Sequence, residues 1–416
     1  MNLLEKAAAN QLMKTGEKKK LSIRDQVNDK YDVYQIPLTD LYYNNQNGRI
    51  NTMYKKYSST HGILTPEVGD TEYNRIFEKF IYESNIQAMK DTKLSIKEKS
   101  QQEPGVVLSD GRVIDGNRRF TALRMIEREE NIPQYFNAII LKLDVNLKND
   151  EKKIKELELD LQLGREERVS YDPIDRIFDV YNTIEVQKLM NIDEYKKASG
   201  AKNARGINRD IRLAELILKF IGIVSPGGNP IDKFYLARDL KLDGPIEEIE
   251  NTIFKLKSND KESIKDAVLV YMALSKVVDT QSDTTRVMRD LKQNVMQDHD
   301  RINYFLDAVD DKVDDIIDAF DANPIQSASD LKSVIEEDEK VEKSVYSLIK
   351  STNRIISKGK IENERTSALI ELENIRDSLY EIDKEDFSEL TADENIQARD
   401  IISEINDILY RLNKGI

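Results

Sequence analysis

With 416 residues, 39% hydrophobic and 34% charged, the chain exceeds the usual size of one domain, so two or three are expected. It has no cysteine and only two histidines, His61 and His299, which excludes disulfides, cysteine nucleophiles and thiolate zinc sites. The formal net charge of -14 speaks against a surface that coats nucleic acid throughout, and no apolar run approaches the length of a membrane span.

A divalent ion in such a chain would use carboxylates and a ligand's phosphates, as Mg²⁺ does. The opening Met1-Asn2-Leu3-Leu4-Glu5-Lys6 lacks a basic segment followed by an apolar core. No secretory signal is therefore expected, and the expected location is the cytoplasm. Charge is unevenly spread. Lys196 to Lys219 is basic, whereas the chain beyond Asp307 is rich in Asp and Glu, so a local basic face on an acidic protein is compatible with DNA.

In chain order, residues 1–30 are polar and lysine-rich and read as an arm or a short helix. Val33 to Leu41 reads as a strand entering a turn. Between Thr71 and Lys99, Tyr73, Ile76, Phe77, Phe80, Ile81, Ile86 and Met89 recur at helical spacing. Gly105 to Leu108 is a short apolar strand, Ser109-Asp110-Gly111-Arg112 a tight turn, and Val113-Ile114 the returning strand. A helix over Arg118 to Arg128 and a strand over Phe136 to Leu143 follow. The order strand, helix, hairpin, helix, strand predicts a small mixed α/β domain over 31–150.

From Lys152 onward the pattern is helical. Pro226-Gly227-Gly228-Asn229-Pro230 and Asn323-Pro324 read as breaks that separate 151–225, 226–322 and 323–416. Tyr235 to Pro245 reads as a helix stopped at Gly244. Asp310, Asp311, Asp314, Asp315 and Asp318 alternate with Val313, Ile316, Ile317 and Phe320 and lack the glycine of a Ca²⁺ loop, so a solvated acidic helix face is expected. Leu331 to Ile349, Thr366 to Leu379 and Ile401 to Leu412 predict long antiparallel helices of coiled-coil character, suited to dimerisation or to a partner protein.

The densest chemistry lies in Asp110 to Ile126, DGRVIDGNRRFTALRMI. A strand ends at Ile114, Gly116 allows a sharp turn and close approach of a ligand, and Asn117, Arg118 and Arg119 open a helix. A helix N-terminus offers free amides and the positive end of a dipole, and two arginines there add donors suited to phosphate oxygens. Asp115 beside them is placed to hold Mg²⁺ or accept a proton. The plainer alternative is a hairpin whose arginines pair with nearby acids.

VIDGNRRFTAL resembles the phosphate-binding box of the ParB/sulfiredoxin-like fold. Ile36-Pro37-Leu38 through Leu41 with Asn45 and Arg49, the stretch Gln102 to Val107, and Arg168 with Pro173-Ile174-Asp175 resemble further pieces of ParB proteins in the same order, over residues 33–220. Asn117 stands where ParB proteins carry Glu, which favours nucleotide binding over hydrolysis; sulfiredoxin chemistry, which needs a cysteine, is excluded. The resemblance implies an α+β protein with a small ParB/sulfiredoxin-like N-terminal domain, then a helix-turn-helix and a mostly helical C-terminal half. It implies a nucleoside triphosphate, CTP or ATP, bound with Mg²⁺ as a conformational switch through dimer closure. Arg49, Gly116, Arg118, Arg119 and Arg168 would form the phosphate pocket, with Asp115 and Asn117 near the metal. An alternative is a catalytic ParB-like nuclease, NTPase or kinase from a plasmid, phage or defence locus, with Asp115 as the working carboxylate. A scaffold that keeps the fold without the chemistry is the third.

Ile192 to Ser199 reads as a short helix, Gly200-Ala201-Lys202 as a turn and Ala204 to Lys219 as a longer helix. Lys202, Asn203, Arg205, Asn208, Arg209 and Arg212 crowd its start, as in the recognition helix of a helix-turn-helix, where ParB proteins also place one; double-stranded DNA and a homodimer are the partners implied. An ordinary helical hairpin with a solvated basic face is the alternative, and Gly206 counts toward it.

Overall fold

The structure, a computed structural model, describes residues 2–23, 26–144, 147–163, 172–278, 283–380, 382, 387 and 390–415. A mixed α/β N-terminal region is followed by a largely helical one. The first elements are α1 (Leu3–Ala8), β1 (Met13–Ile23) and β2 (Gln26–Pro37). A 3-10 turn (Leu38–Asp40), β3 (Tyr42–Tyr43) and a second 3-10 turn (Gly48–Ile50) lead into α2 (Asn51–His61). Then come α3 (Glu72–Ser84), α4 (Ile86–Lys99), β4 (Gly105–Leu108), β5 (Arg112–Asp115), α5 (Asn117–Glu130), β6 (Tyr135–Leu141) and α6 (Lys148–Leu163).

The six strands form one sheet in the order β1-β2-β6-β4-β5-β3. The β4–β6 and β3–β5 pairs are parallel; β1–β2, β2–β6 and β4–β5 are antiparallel. Strand alternation sends side chains to two separate cores. Val107, Val113, Phe136, Ala138 and Ile140 join α3, α4 and α5 on one face. Val106, Leu108, Ile114, Ile139 and Leu141 join Ile154, Leu157 and Leu161 of α6 on the other.

Of the two expectations for 1–30, the short helix is present as α1 and the arm is a correction. Leu3 is fully buried, and Met13 to Ile23 forms an edge strand of the sheet, with Leu21 packed into the α6 core. Its apolar residues are too few to show against the lysines. The helix expected over Thr71 to Lys99 is two, because Asn85 breaks it in an extended conformation and caps α4 by accepting from the Ala88 amide. The hairpin, α5 and β6 lie where the sequence places them.

The helical region runs α7 (Pro173–Tyr181), a π-helical turn (Asn182–Val186), α8 (Ile192–Ser199), α9 (Arg205–Val224), a 3-10 turn (Pro230–Lys233), α10 (Tyr235–Asp239) and α11 (Asp243–Lys255). It continues through α12 (Lys261–Val278), α13 (Thr284–Asn294), α14 (His299–Ala322), α15 (Asp330–Glu336), α16 (Glu339–Tyr380) and α17 (Ala392–Gly415). α9 packs against α7, α11, α12 and α14, and Ala267 to Leu274 of α12 are buried on all sides. Gly244 does not stop a helix: it lies in the first turn of α11, where a side chain would meet Thr285 Oγ1 at 2.6 Å.

Contacts divide the chain into Met1–Asn353 and Arg354–Ile416, so the breaks near 225 and 322 fall inside the first unit. In the second unit, Ile361, Leu369, Ile375, Ile396, Ile401, Ile408 and Leu412 are exposed. The acidic face of α14 is as expected: Val313, Ile316 and Phe320 are buried, Asp310, Asp311, Asp314 and Asp318 exposed. Among the described residues no three His, Cys, Asp or Glu side chains cluster as metal ligands, and no helix is long and apolar enough to cross a membrane.

Candidate phosphate site and basic helix

β5 delivers Asp115 to a turn at Gly116, whose φ of 94° and ψ of 21° lie in the left-handed region. A side chain there would sit 2.8 Å from the Phe136 ring, and one at Gly105 would sit 2.2 Å from it. Both glycines thus make room for the same aromatic ring, which packs the turn against the sheet. Gly116 caps α5 without a side-chain hydrogen bond, so the cap residue supplies no acceptor to the first-turn amides.

The two arginines of this turn differ. Arg119 donates through Nη2 to Asp115 Oδ2 at 3.0 Å and through Nη1 to the Glu103 carbonyl at 2.6 Å. Asp115 is buried and also stands 3.8 Å from Lys19 Nζ. The carboxylate expected as metal ligand or base is therefore flanked by two cations, and Arg119 is engaged within the protein. Lys19 was hidden in the lysine-rich opening; the clue is its spacing of two from buried Leu21, which puts both on the inward face of β1.

Arg118 is the contrast. Among the described residues it makes no hydrogen bond or ion pair, and its Nε is buried without a partner. Burial, with the like charge of Arg49 second, pushes its guanidinium down to about 10. Asn117 is also buried, and its Oδ1 has no partner. A half-buried guanidinium without a partner on the first turn of a helix is the arrangement an anion relieves. Arg168 lies outside the described residues.

Arg49 sits on the 3-10 turn Gly48–Ile50, which is fixed from two sides. The Gly48 amide donates to Glu158 Oε1 of α6 at 3.1 Å, and Asn47 Oδ1 accepts from the Arg49 amide at 3.0 Å. In α2, directly after this turn, Thr52 donates through its amide and its Oγ1 to Asp175 Oδ1 of α7, at 3.3 and 2.6 Å. Arg238 of α10 donates to the other Asp175 oxygen at 2.8 Å. Burial nevertheless pushes the Asp175 carboxyl up to about 7.

α8 begins with a capping box between Asn191 and Glu194 and ends at Gly200 in the left-handed region. α9 begins at Arg205, whose amide donates to Asn203 Oδ1 at 2.9 Å. Lys202, Asn203, Arg205 and Asn208 are exposed. Arg209 and Arg212 are a correction to the expected basic face. Both turn to α11, where Arg209 lies 3.3 Å from Glu247, and Arg212 pairs with Glu250 and covers the Phe254 ring at 4.4 Å.

No family model matches the chain, and no curated protein does. Among solved structures it is similar to a ParB-N domain described as Pnob8-like, at 13% identity over 57% of this chain and 93% of the other, with a TM-score of 0.29. The likeness is distant and partial.

Proposed function

We propose that the α/β region binds a nucleoside triphosphate, CTP or ATP, with Mg²⁺ carried on its phosphates, and that this binding switches contact with double-stranded DNA. The observation that carries the reading is the half-buried Arg118 on the first turn of α5, itself without a partner among the described residues and next to Arg49. Arg118 and Arg49 would take phosphate oxygens, and Arg119, fixed by Asp115 and Glu103, would hold the turn in shape. Mg²⁺ keeps most of its shell as phosphate and water oxygens and needs only one or two from the protein. Asn117 Oδ1, buried and without a partner, fits that need better than Asp115, which already faces Lys19 and Arg119. With Asp115 so occupied, binding without turnover is the reading.

A switch needs an element that both sites touch. The Arg49 turn leads into α2, α2 is tied through Thr52 to Asp175 of α7, and α7 packs along α9. DNA contact would come from Lys202, Asn203, Arg205 and Asn208 at the start of α9. A second copy of the chain is the proposed occupant of the exposed apolar residues between Ile361 and Leu412.

Calorimetry with Mg²⁺ and each triphosphate tests the phosphate site. A charge-assisted hydrogen bond contributes about 1.5–3 kcal/mol, so Arg118→Ala should weaken binding roughly 10- to 100-fold. Equal affinity of wild type and variant would remove the proposal.

A further inference from the structure

Asn45, Gln46 and Asn51, on either side of the Arg49 turn, also line a cavity of about 530 Å³ bounded by α2, α6 and α7, within the usual range for a small-molecule site. Its far wall includes the π-helical turn Asn182–Val186, closed by the Gln187 amide donating to the Asn182 carbonyl at 2.8 Å. The turn ends α7, where the last helical turn widens to this longer bond. Here the turn places a carboxamide at each of its ends, Asn182 and Gln187, on the cavity wall.

Among the described residues, the side-chain amides of Gln46, Asn51, Asn182 and Gln187 make no hydrogen bond, so four groups that both donate and accept stand around one space. Tyr54 and Phe178 supply aromatic surface between them. The charges exclude phosphate from this space. Among the described residues, Glu151, Glu158, Asp179 and Asp232 face it with only Lys55 and Lys155 in opposition, and both lysines are already paired, with Asp232 at 2.9 Å and Asp179 at 2.5 Å.

We infer that this cavity receives the base of the nucleotide, so that it sets which triphosphate the Arg49–Arg118 site accepts; the inference rests on the phosphate reading above. One wall of the 3-10 turn faces carboxamides and aromatic rings without net positive charge, and the same turn carries Arg49 toward Arg118. A planar neutral head that donates and accepts hydrogen bonds, joined to a polyanionic tail, matches the two halves. Asn182 and Gln187 then act as specificity-determining residues that touch the base edge.

The full chain is titrated with inorganic tripolyphosphate and with the four ribonucleoside triphosphates, each with Mg²⁺. Tripolyphosphate should bind, and one nucleotide should bind at least ten-fold more tightly than it does. Asn182→Ala with Gln187→Ala should bring that nucleotide to the tripolyphosphate level, erase the ranking among bases, and leave tripolyphosphate affinity unchanged. Ser59→Trp, at an exposed position on the cavity rim, should do the same by filling the space, so the outcome does not depend on the double variant folding. Nucleotides that bind no better than tripolyphosphate, or a base ranking unchanged in both variants, overturn the cavity's role while leaving the phosphate site standing. No binding of tripolyphosphate or any nucleotide overturns the phosphate reading itself, and this inference with it.

Discussion

Two adjacent arginines on one helix turn have different surroundings because successive side chains on a helix diverge by about 100°. Arg119 swings back to Asp115 and Glu103; Arg118 is left beside Arg49. A partnerless, half-buried cation destabilises the ligand-free chain. Arg118→Met should therefore raise the thermal midpoint of the ligand-free protein while abolishing the shift that a triphosphate gives the wild type. A lowered midpoint would assign Arg118 a structural role. Asp175 gives a second residue-level test. An unfolded Asp carboxyl titrates near about 3.9, and burial raises Asp175 to about 7. Between those values the folded chain keeps a proton that the unfolded chain has lost. Its stabilising effect is thus complete below about pH 4 and lost as pH rises through about 7, at up to about 1.4 kcal/mol per pH unit. Urea unfolding at several pH values should show that slope in the wild type and its loss in Asp175→Asn; parallel profiles would disprove it.

α9 divides into two stretches with different surroundings. Its first residues and the turn before it are exposed, while Arg209 and Arg212 are fastened to Glu247 and Glu250 of α11. Replacing Lys202 and Arg205 with alanine should weaken duplex DNA binding and flatten its salt dependence, because each phosphate contact releases counterions. Arg212→Ala should leave the salt slope unchanged and lower stability instead, since buried Glu250 would keep only Arg209, at 3.6 Å, to balance its charge. Anisotropy at two salt concentrations distinguishes these outcomes. The helical-hairpin alternative requires no DNA binding at low salt, with or without nucleotide.

The second contact unit, Arg354–Ile416, exposes isoleucines and leucines that the first unit buries almost everywhere. Pairing with a second copy would cover them. Sedimentation of the full chain should show a dimer, and Ile401→Asp with Ile408→Asp should give a monomer whose first unit still melts cooperatively. A wild-type monomer at all concentrations would refute self-association through these helices.

The amino-acid sequence alone determined what depends on near neighbours. The Asp-Gly turn, the strand into Gly116 and α5, and the α8–Gly200–α9 sequence come from turn residues, caps and apolar spacing within a few positions. The remainder needed partners distant in the chain. β1 became a strand because β2 and α6 cover it, Asn85 divided a continuous apolar pattern because its amide side chain satisfies the next helix, and Gly244 opened a helix because Thr285 presses against it. The separate surroundings of Arg118 and Arg119, the turning of Arg209 and Arg212 toward α11, and the cavity beside Arg49 were likewise decided by tertiary structure. Helical spacing says which side chains share a face; which acid, ring or empty space that face meets is set by elements tens to hundreds of residues away.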